Sequence, residues 1–256
     1  ALYGTELRRG YSVGGAHPVT VTVARRVASP SDLQFSLGGG LLTATITSTA
    51  GVVQETAMVQ VSMRSITPPP GGSIVRVTLQ PDGATGKDNY LRADRKNNNY
   101  GNQTYLKTDS ETNKSQHALL QFDLSSVPTT ATVQLATLSL YLYQSSGSTL
   151  DQVRAHRLTR SWTETGANWQ EYDGSHKWST DGGDYDAAVE GSFVADATGW
   201  KSLTITSLVQ RWVNGTAANY GLILESPARG GNNEKFYYSS DYGTASYRPY
   251  LVIEYR

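Results

Sequence analysis

The sequence predicts an all-β protein with two β-sandwich domains, a larger jelly-roll-like one at the C-terminus and a smaller, incomplete immunoglobulin-like one at the N-terminus. Runs in which polar and apolar residues alternate recur along the chain, for example at residues 19–23 and 43–47. A period of two is typical of half-buried strands. Breaks rich in glycine, asparagine and serine separate the runs, and no helical pattern alternates with them. Many short strands without intervening helices favour antiparallel sandwiches.

The composition excludes several classes of protein. Lysine plus arginine and aspartate plus glutamate both number 22, so the formal net charge is zero. Proteins that bind nucleic acid or anionic membranes usually carry a basic surplus, so neither partner is expected. No apolar run approaches the roughly 20 residues that span a bilayer. The chain has no cysteine, which excludes disulfides, thiolate nucleophiles and cysteine-bound zinc.

The location that we expect is outside the cell or at its surface. The sequence opens with Ala1 rather than methionine, which we interpret as the end left after removal of a leader; artificial trimming is the alternative. Charged residues make up only 17% of the chain, whereas tyrosine numbers 16 and tryptophan 5. We therefore expect a surface of uncharged polar groups and of aromatic rings that carry polar atoms.

The N-terminal part, residues 1–66, is too short for a complete immunoglobulin-like sandwich. It holds about four strand candidates, at residues 19–27, 33–37, 41–49 and 52–63. Such a sandwich normally has about seven strands in about 100 residues. A small domain over residues 18–66 would therefore leave a groove and unpaired edges.

An extended tail, residues 1–17, precedes these strands and carries apolar side chains among glycines and arginines. The apolar residues are Leu2, Tyr3, Leu7, Tyr11 and Val13. Such a tail could lie along its own domain, pack on the C-terminal domain, or insert into a neighbouring copy as a donor strand.

A proline- and glycine-rich linker, residues 67–73, separates the two predicted domains. Three prolines favour an extended segment, and two glycines add a flexible joint. In the C-terminal domain, residues 74–256, alternation predicts strands at 74–79, 118–122, 137–143, 221–225 and 250–255. One short helix is predicted where Leu208, Val209 and Trp212 share a face and Gly215 follows as a C-terminal stop.

Several separated motifs in this domain resemble those of a known family. In order they are Asp88-Asn89-Tyr90-Leu91-Arg92, Asn99-Tyr100-Gly101, Leu120-Gln121-Phe122-Asp123-Leu124, Ser161-Trp162-Thr163-Glu164, Asn168-Trp169, Val209-Gln210-Arg211-Trp212, Tyr220-Gly221-Leu222 and Tyr247-Arg248-Pro249-Tyr250-Leu251. Over about residues 74–256 the chain resembles the DNRLRE domain family, which overlaps carbohydrate-binding module family 96. Tyr90 and Ala93 stand where the family name has arginine and glutamate. The resemblance implies a secreted or cell-surface β-sandwich module, usually non-catalytic; some members bind acidic polysaccharides.

Aromatic residues are the candidates for ligand contact, because sugar rings have flat apolar surfaces that stack on aromatic faces. We expect Trp162 and Trp212, which lie in apolar patterns, to fill the core. Trp178 lies in a polar loop, so exposure is expected there. The predicted ligand-binding residues are Trp178, Tyr185, Trp169 and Tyr100.

An acidic loop is the candidate metal site. Asp181-Gly182-Gly183-Asp184-Tyr185-Asp186 places three carboxylates and two glycines in a short segment, which suits structural calcium. A second oxygen-rich region contains Asp82, Asp88, Asp94 and residues 97–99. Solvated turns are the alternative for both regions, because aspartate, asparagine and glycine favour turns. We expect no other cofactor and no transition metal.

Three sequences match the acceptor pattern for N-linked glycans, and they begin at Asn102, Asn113 and Asn214. Matches of this kind also arise by chance in a chain rich in asparagine, serine and threonine.

No catalytic motif is present in the sequence. It has no nucleophile elbow, no phosphate-binding glycine loop and no zinc-binding His-Glu-x-x-His helix. The histidines are scattered, at His17, His117, His156 and His176. Glu164 and Glu171 are conceivable as an acid/base pair, although the separation of two carboxylates cannot be deduced from sequence. We therefore predict no enzyme activity.

Two functional hypotheses follow. The first is a non-catalytic secreted structural protein, the subunit of an extracellular filament or layer that assembles head-to-tail by β-strand exchange between copies. The alternative is a carbohydrate-binding module that holds a polysaccharide through exposed aromatic residues. Adhesion to another partner is a third interpretation. Electron microscopy of the purified protein separates the first hypothesis from the second.

Overall fold

The structure, a computed structural model of the chain, describes residues 33–38, 41–46, 56–59, 73–147, 151–227 and 231–256. The chain divides into two compact units, Ala1–Pro70 and Gly71–Arg256. The predicted strand at 19–27 lies outside the described residues. So do all the apolar residues of the predicted donor tail, Leu2, Tyr3, Leu7, Tyr11 and Val13. Strand exchange between copies therefore stays a prediction.

The described part of the N-terminal unit is a three-stranded antiparallel sheet. Its strands are β1 (Leu33–Gly38), β2 (Leu41–Ile46) and β3 (Thr56–Val59), in that order across the sheet. In β1 and β2 the register runs from Leu33 opposite Ile46 to Gly38 opposite Leu41. Each strand lies within or next to a segment for which alternation predicts one.

The C-terminal unit is an antiparallel β-sandwich. Its described residues form β4 (Val75–Leu79), β5 (Asp88–Arg92), β6 (Tyr105–Thr108), β7 (Gln116–Leu120), β8 (Val133–Ser145), β9 (Asp151–Arg157), β10 (Gly191–Ala195), β11 (Gly199–Thr204), α1 (Thr206–Val213), β12 (Leu222–Glu225), β13 (Lys235–Tyr238) and β14 (Tyr250–Tyr255). The predicted all-β class is confirmed.

The strands form two sheets. The five-stranded sheet has the order β10-β9-β12-β7-β5, and the six-stranded sheet has the order β4-β14-β8-β13-β6 with β11 also paired to β8. Ser139 of β8 pairs with Tyr250 of β14 and with Ser202 of β11, so these two strands lie on opposite edges of β8. The long strand β8 is therefore the centre of the six-stranded sheet.

The main core lies between the two sheets. Alternate residues of β8, Leu138, Leu140 and Leu142, are fully buried, as expected for a strand with one face on the core. The five-stranded sheet contributes its own alternate positions, among them Leu120 and Leu222. Burying a leucine-sized side chain stabilises the fold by about 1.5–3 kcal/mol.

A second core covers the other face of the five-stranded sheet. Leu119 and Ile223 point to this side, because they alternate with residues of the main core, and Leu91 of β5 belongs to the same cluster. The long segment between β9 and β10 packs on them with its tryptophans Trp162, Trp169 and Trp178. The five-stranded sheet is thus buried on both faces along β5, β7 and β12, whereas Val194 of β10 is exposed on the outer face.

The predicted helix is confirmed as α1, which packs on β8. It buries Leu208, Val209 and Trp212, and Gly215 follows it with a φ of +72°, which glycine adopts without strain. In the described part of the chain, no helix has the length and apolar character to cross a membrane.

Candidate functional site

The outer face of the six-stranded sheet carries a continuous array of aromatic rings. Its strand positions alternate with core positions: Tyr141 and Tyr143 flank the buried Leu142, and Phe236 and Tyr238 flank the buried Tyr237. The array, called the aromatic strip from here on, consists of Tyr105, Tyr141, Tyr143, Trp200, Phe236, Tyr238, Tyr242, Tyr247 and Tyr250.

A stack of three tyrosines forms the centre of the aromatic strip. The ring of Tyr238 lies 4.4 Å from that of Tyr143 and 3.7 Å from that of Tyr242, with interplanar angles of 14° and 18°. A register shift between Phe236 and Tyr237 accompanies the pairing of β13 with β8. These stacked rings hold one another in place, since aromatic pairs add about 0.5–1.5 kcal/mol beyond the area that they bury.

The exposed end of the strip is built around Trp200. Its ring centre lies 5.4 Å from that of Tyr141, its direct partner across the two strands, and 5.0 Å from that of Tyr250. Trp200 is 40% exposed and Tyr247 is 37% exposed. Large aromatic surface that faces solvent is typical of a contact surface and not of a core.

The hydroxyls of Tyr143 and Tyr238 stay protonated far above neutral pH. Burial, with Tyr105 and Tyr242 nearby, raises the pKa of Tyr143 to about 12. A hydrogen bond with Tyr242, followed by burial, raises the pKa of Tyr238 to about 12. A free tyrosine ionises near pH 10, so these two residues keep neutral hydroxyl groups that can both donate and accept hydrogen bonds.

A buried ion pair supports the other end of the strip. Lys107 is 7% exposed, and its Nζ donates to Glu234 Oε1 at 2.9 Å while lying 4.1 Å from the ring centre of Phe236. Glu234 also accepts a hydrogen bond from Gln116 Nε2. The lysine charge is neutralised within the protein, so its role here is to fix Phe236 and the adjacent strands.

Tyr100, a predicted ligand-binding residue, lies next to this end of the strip. Its ring stacks on Tyr90 at 4.4 Å, and Tyr90 lies 5.7 Å from Tyr105. Tyr100 is half-buried, whereas Tyr90 is 1% exposed. Tyr90, which replaces the arginine of the family name, therefore acts as a packing residue beneath Tyr100.

The neighbouring motif residues Asn89 and Asn99 hold the segment between β9 and β10 in place. Both side-chain amides donate to the backbone carbonyls of Glu164 and Ala167, at 2.6–3.0 Å. The Oδ1 atom of Asn89 accepts the backbone N–H of Tyr100. This part of the resemblance thus has a structural explanation.

The position of Trp178 corrects the expectation that it is exposed. Trp178 is 4% exposed, and its Nε1 donates to the carbonyl oxygen of Asn168 at 2.9 Å. Trp169, another predicted ligand residue, is 9% exposed and belongs to the same second core. Local polarity was misleading because the segment folds back on the five-stranded sheet. The predicted burial of Trp162 and Trp212 is confirmed.

Tyr185, the remaining predicted ligand residue, is half-buried between two histidines. Its ring centre lies 5.1 Å from that of His156 and 6.4 Å from that of His117. Together with Asp181 and Asp184 it lines a polar surface depression of about 330 Å³. Burial, followed by the charge of Glu225, raises the pKa of Tyr185.

The three carboxylates of the predicted calcium loop each have a different basic partner. Asp181 pairs with Lys96 at 3.1 Å, Asp184 with Arg160 at 2.7 Å and Asp186 with Arg157 at 2.8 Å. Asp184 also accepts the backbone N–H groups of Ser179 and Thr180, which is the pattern of a turn. Calcium at this loop stays a prediction.

Among the described residues, acidic oxygens converge elsewhere. Single oxygens of Asp88, Glu164 and Asp241 all lie within 4.8 Å of one another. Asp88 belongs to the second oxygen-rich region of the sequence, but its two partners come from distant segments. Glu171, the suggested catalytic partner of Glu164, instead accepts the side-chain amide of Asn168.

The glycan acceptor candidates Asn102, Asn113 and Asn214 are all exposed. Asn214 Oδ1 accepts the backbone N–H of Thr216 in the turn after α1. Modification of these residues stays a prediction.

Sequence reasoning missed most of the aromatic strip. Tyr141 and Tyr143, and likewise Phe236 and Tyr238, are two residues apart, and this spacing places each pair on one face of a strand. That signal was available in the sequence. The proximity of Tyr242, Tyr247 and Trp200 to these pairs depends on strand order and could not be deduced from it.

The comparisons with known proteins agree with this architecture. No curated protein is detectably similar to the chain. The profile of carbohydrate-binding module family 96 matches residues 82–255. These residues include the second core and every described strand of the sandwich except β4. This match spans well over half of the sequence, and the chain therefore belongs to carbohydrate-binding module family 96.

Proposed function

We propose that this protein is a non-catalytic module that binds a polysaccharide along the aromatic strip. The observation that carries the proposal is the exposure of Trp200 and Tyr247 within a continuous array of rings on the outer sheet face. Apolar faces of sugar rings stack on such surfaces, and phenol hydroxyls hydrogen-bond the sugar hydroxyls. Membership of a carbohydrate-binding family supports this choice of ligand.

Binding of this kind depends on stacking more than on ion pairing. Three basic groups near the strip have acidic partners, since Lys107 pairs with Glu234, Lys201 with Asp196 and Arg92 with Asp94. A fourth, Arg248, donates to the carbonyl oxygen of Tyr242. A polysaccharide would therefore contact mainly rings and hydroxyl groups. We expect the affinity of the protein for the polysaccharide to change less than about threefold as the ionic strength rises from about 0.01 M to about 1 M, the range over which surface charges become screened.

The proposed ligand implies a place of action outside the cell, where polysaccharides of walls, capsules and matrices occur. Self-assembly through the N-terminal tail stays a separate prediction. It is compatible with polysaccharide binding, since the two involve different parts of the sequence.

Affinity electrophoresis tests the proposal directly. The purified chain is run in native gels that contain starch, hydroxyethyl cellulose, alginate or pectin, and retardation by at least one of them is expected. Trp200→Ala and Tyr141→Ala should each weaken binding about tenfold or more, because hot-spot aromatics typically contribute upwards of 1.4 kcal/mol.

Val194→Ala is the matched control. Val194 is 47% exposed and lies on β10, in the other sheet. This variant should bind as the parent does. Retardation that is equal in the parent and in both strip variants would contradict the proposed site, and absence of retardation in a wider panel of polysaccharides would contradict the function.

A further inference from the structure

We propose that Asp88, Glu164 and Asp241 form a calcium site that joins three distant segments of the C-terminal unit. Asp88 begins β5, Glu164 lies in the segment between β9 and β10, and Asp241 follows β13. One oxygen from each lies within 4.8 Å of the other two. Oxygens that bind one calcium ion at 2.3–2.6 Å can be no more than about 5 Å apart, so the three can share an ion.

An unpartnered buried hydroxyl faces this cluster. Ser240 is 1% exposed, and its Oγ has no hydrogen-bond partner of normal geometry although it lies beside the Asp88 carboxyl. The backbone N–H of Ser240 donates to Asp88 Oδ2 at 2.7 Å, which fixes this arrangement. A hydroxyl oxygen keeps lone pairs besides the proton that it can donate to Asp88, and buried polar atoms are nearly always fully paired, so Ser240 Oγ is available as a further ligand for a cation.

The cluster contains a second oxygen of the same kind. The Oδ2 atom of Asp241 is buried and also lacks a hydrogen-bond partner. The chain that precedes β5 packs directly on these groups: a Cβ at Gly83 would lie 2.4 Å from Asp241 Oδ1, and a Cβ at Gly86 would lie 2.1 Å from Ser240 Oγ. Glycine at both positions leaves room for these oxygens.

The charges of the cluster are not balanced by the protein. Among the described residues no lysine or arginine forms an ion pair with these three carboxyl groups. Lys87 and Arg248 are near enough to act on Glu164 and Asp241 through their charges, but neither forms an ion pair with them. In the Asp181 loop, by contrast, each carboxylate has its own cation.

The donor set selects the kind of ion. Carboxylate and hydroxyl oxygens are hard ligands, whereas zinc favours nitrogen and sulfur. Magnesium requires near-ideal octahedral geometry at short distances, which is a stricter demand on oxygens from three separate segments than calcium makes. Calcium accepts irregular coordination by six to eight oxygens, so it fits best.

Calcium titration of the full chain tests this site. After treatment with chelator, addition of CaCl₂ should raise the melting temperature in a saturable way, and MgCl₂ should raise it much less. Equilibrium dialysis with ⁴⁵Ca should give one tight site per chain. Asp241→Asn and Glu164→Gln should each weaken calcium binding at least tenfold.

Both variants remain informative when calcium is absent, because each removes one of three crowded acid groups. In chelator they should melt at or above the temperature of the parent. Asp181→Asn is the matched control and should keep the full calcium response. The proposal is overturned if calcium shifts the melting of neither parent nor control, or if Asp241→Asn and Glu164→Gln respond as the parent does. It is also overturned if Asp181→Asn alone loses the response, since that result places the ion in the other loop.

Discussion

At the scale of single residues, Trp200 differs from every other tryptophan of the chain. It is 40% exposed, whereas Trp162, Trp169, Trp178 and Trp212 are between 2% and 9% exposed. Iodide in solution should therefore quench only a minor part of the tryptophan fluorescence, and Trp200→Phe should abolish that part. A bound polysaccharide should protect the same fraction from iodide. Quenching that persists in Trp200→Phe would show that another indole is accessible.

The ion pair behind the strip gives a prediction about stability and pH. Glu234→Gln leaves the nearly buried Lys107 without its anionic partner, and we expect a loss of about 1–3 kcal/mol in the free energy of unfolding near pH 7, measured with urea. Burial raises the pKa of Glu234, but hydrogen bonds from Gln116 and Lys107 outweigh it, so the pKa is lowered overall.

The pH dependence of this effect follows from that direction. A lowered pKa in the folded state means that the stabilisation is present above the pKa of the unfolded chain, near 4.5, and is lost as pH falls through the folded value. The difference between the parent and Glu234→Gln should therefore shrink below about pH 4. A difference that stays constant down to pH 3 would mean that Glu234 acts through its shape and not through its charge.

Exposure of individual side chains was the least predictable property of this sequence. The polar surroundings of Trp178 indicated an exposed ring, yet the ring is buried because its segment packs across the outer face of the five-stranded sheet. Trp200 was one of five tryptophans with a face that could stack on a sugar, and its sequence did not distinguish it, since its exposure follows from the position of β11 beside β8. Burial at such positions is decided by long-range pairing, which local pattern does not contain.

At the scale of elements, one tight turn depends on glycine. Gly221 precedes β12 with a φ of +84°, and a Cβ there would lie 2.2 Å from the carbonyl oxygen of Leu120 in β7. Gly199 also has a positive φ, +122°, but open space around it. Gly199→Ala should therefore cost only backbone strain, about 1–3 kcal/mol.

Gly221→Ala should cost clearly more than Gly199→Ala, because it adds a clash with backbone that cannot move aside. Urea unfolding of the two variants measures the comparison. Equal losses would show that β12 can shift away from β7, contrary to the close pairing in the structure.

Elements with strong alternation were predictable, and those without it were not. The segment of β8 follows the period of two over most of its length, and a strand was expected there. β13 places a fully buried lysine, Lys235, on its core side, which hides the alternation. The amine of Lys235 donates to the carbonyl oxygen of Ser146. This hydrogen bond allows the lysine to be buried, although the sequence pattern alone would place it at the surface.

At the scale of the whole molecule, the larger unit has all the parts of an independent domain. Residues 71–256 contain both sheets of the sandwich and both hydrophobic cores. Expressed alone, this fragment should fold and unfold in one cooperative transition, with a midpoint within a few degrees of the corresponding transition of the full chain. Calorimetry on both proteins checks this, and an insoluble or clearly less stable fragment would show that the N-terminal residues are needed.

The pairing of β4 with β14 determines how this domain responds to pulling force. Val75 lies opposite Tyr255, so the chain enters and leaves the sheet at the same end of two neighbouring antiparallel strands. Tension applied between Val75 and Tyr255 therefore breaks the hydrogen bonds between β4 and β14 sequentially, in an unzipping geometry, and not all at once. Because β4 pairs with β14 alone among the strands that the structure describes, it should separate at low force while β8, β11 and β13 stay paired. In single-molecule stretching, release of β4 should appear as a short extension at low force, before the strands that carry the aromatic strip separate. A polysaccharide bound to the strip would then be held through a segment that extends under low force.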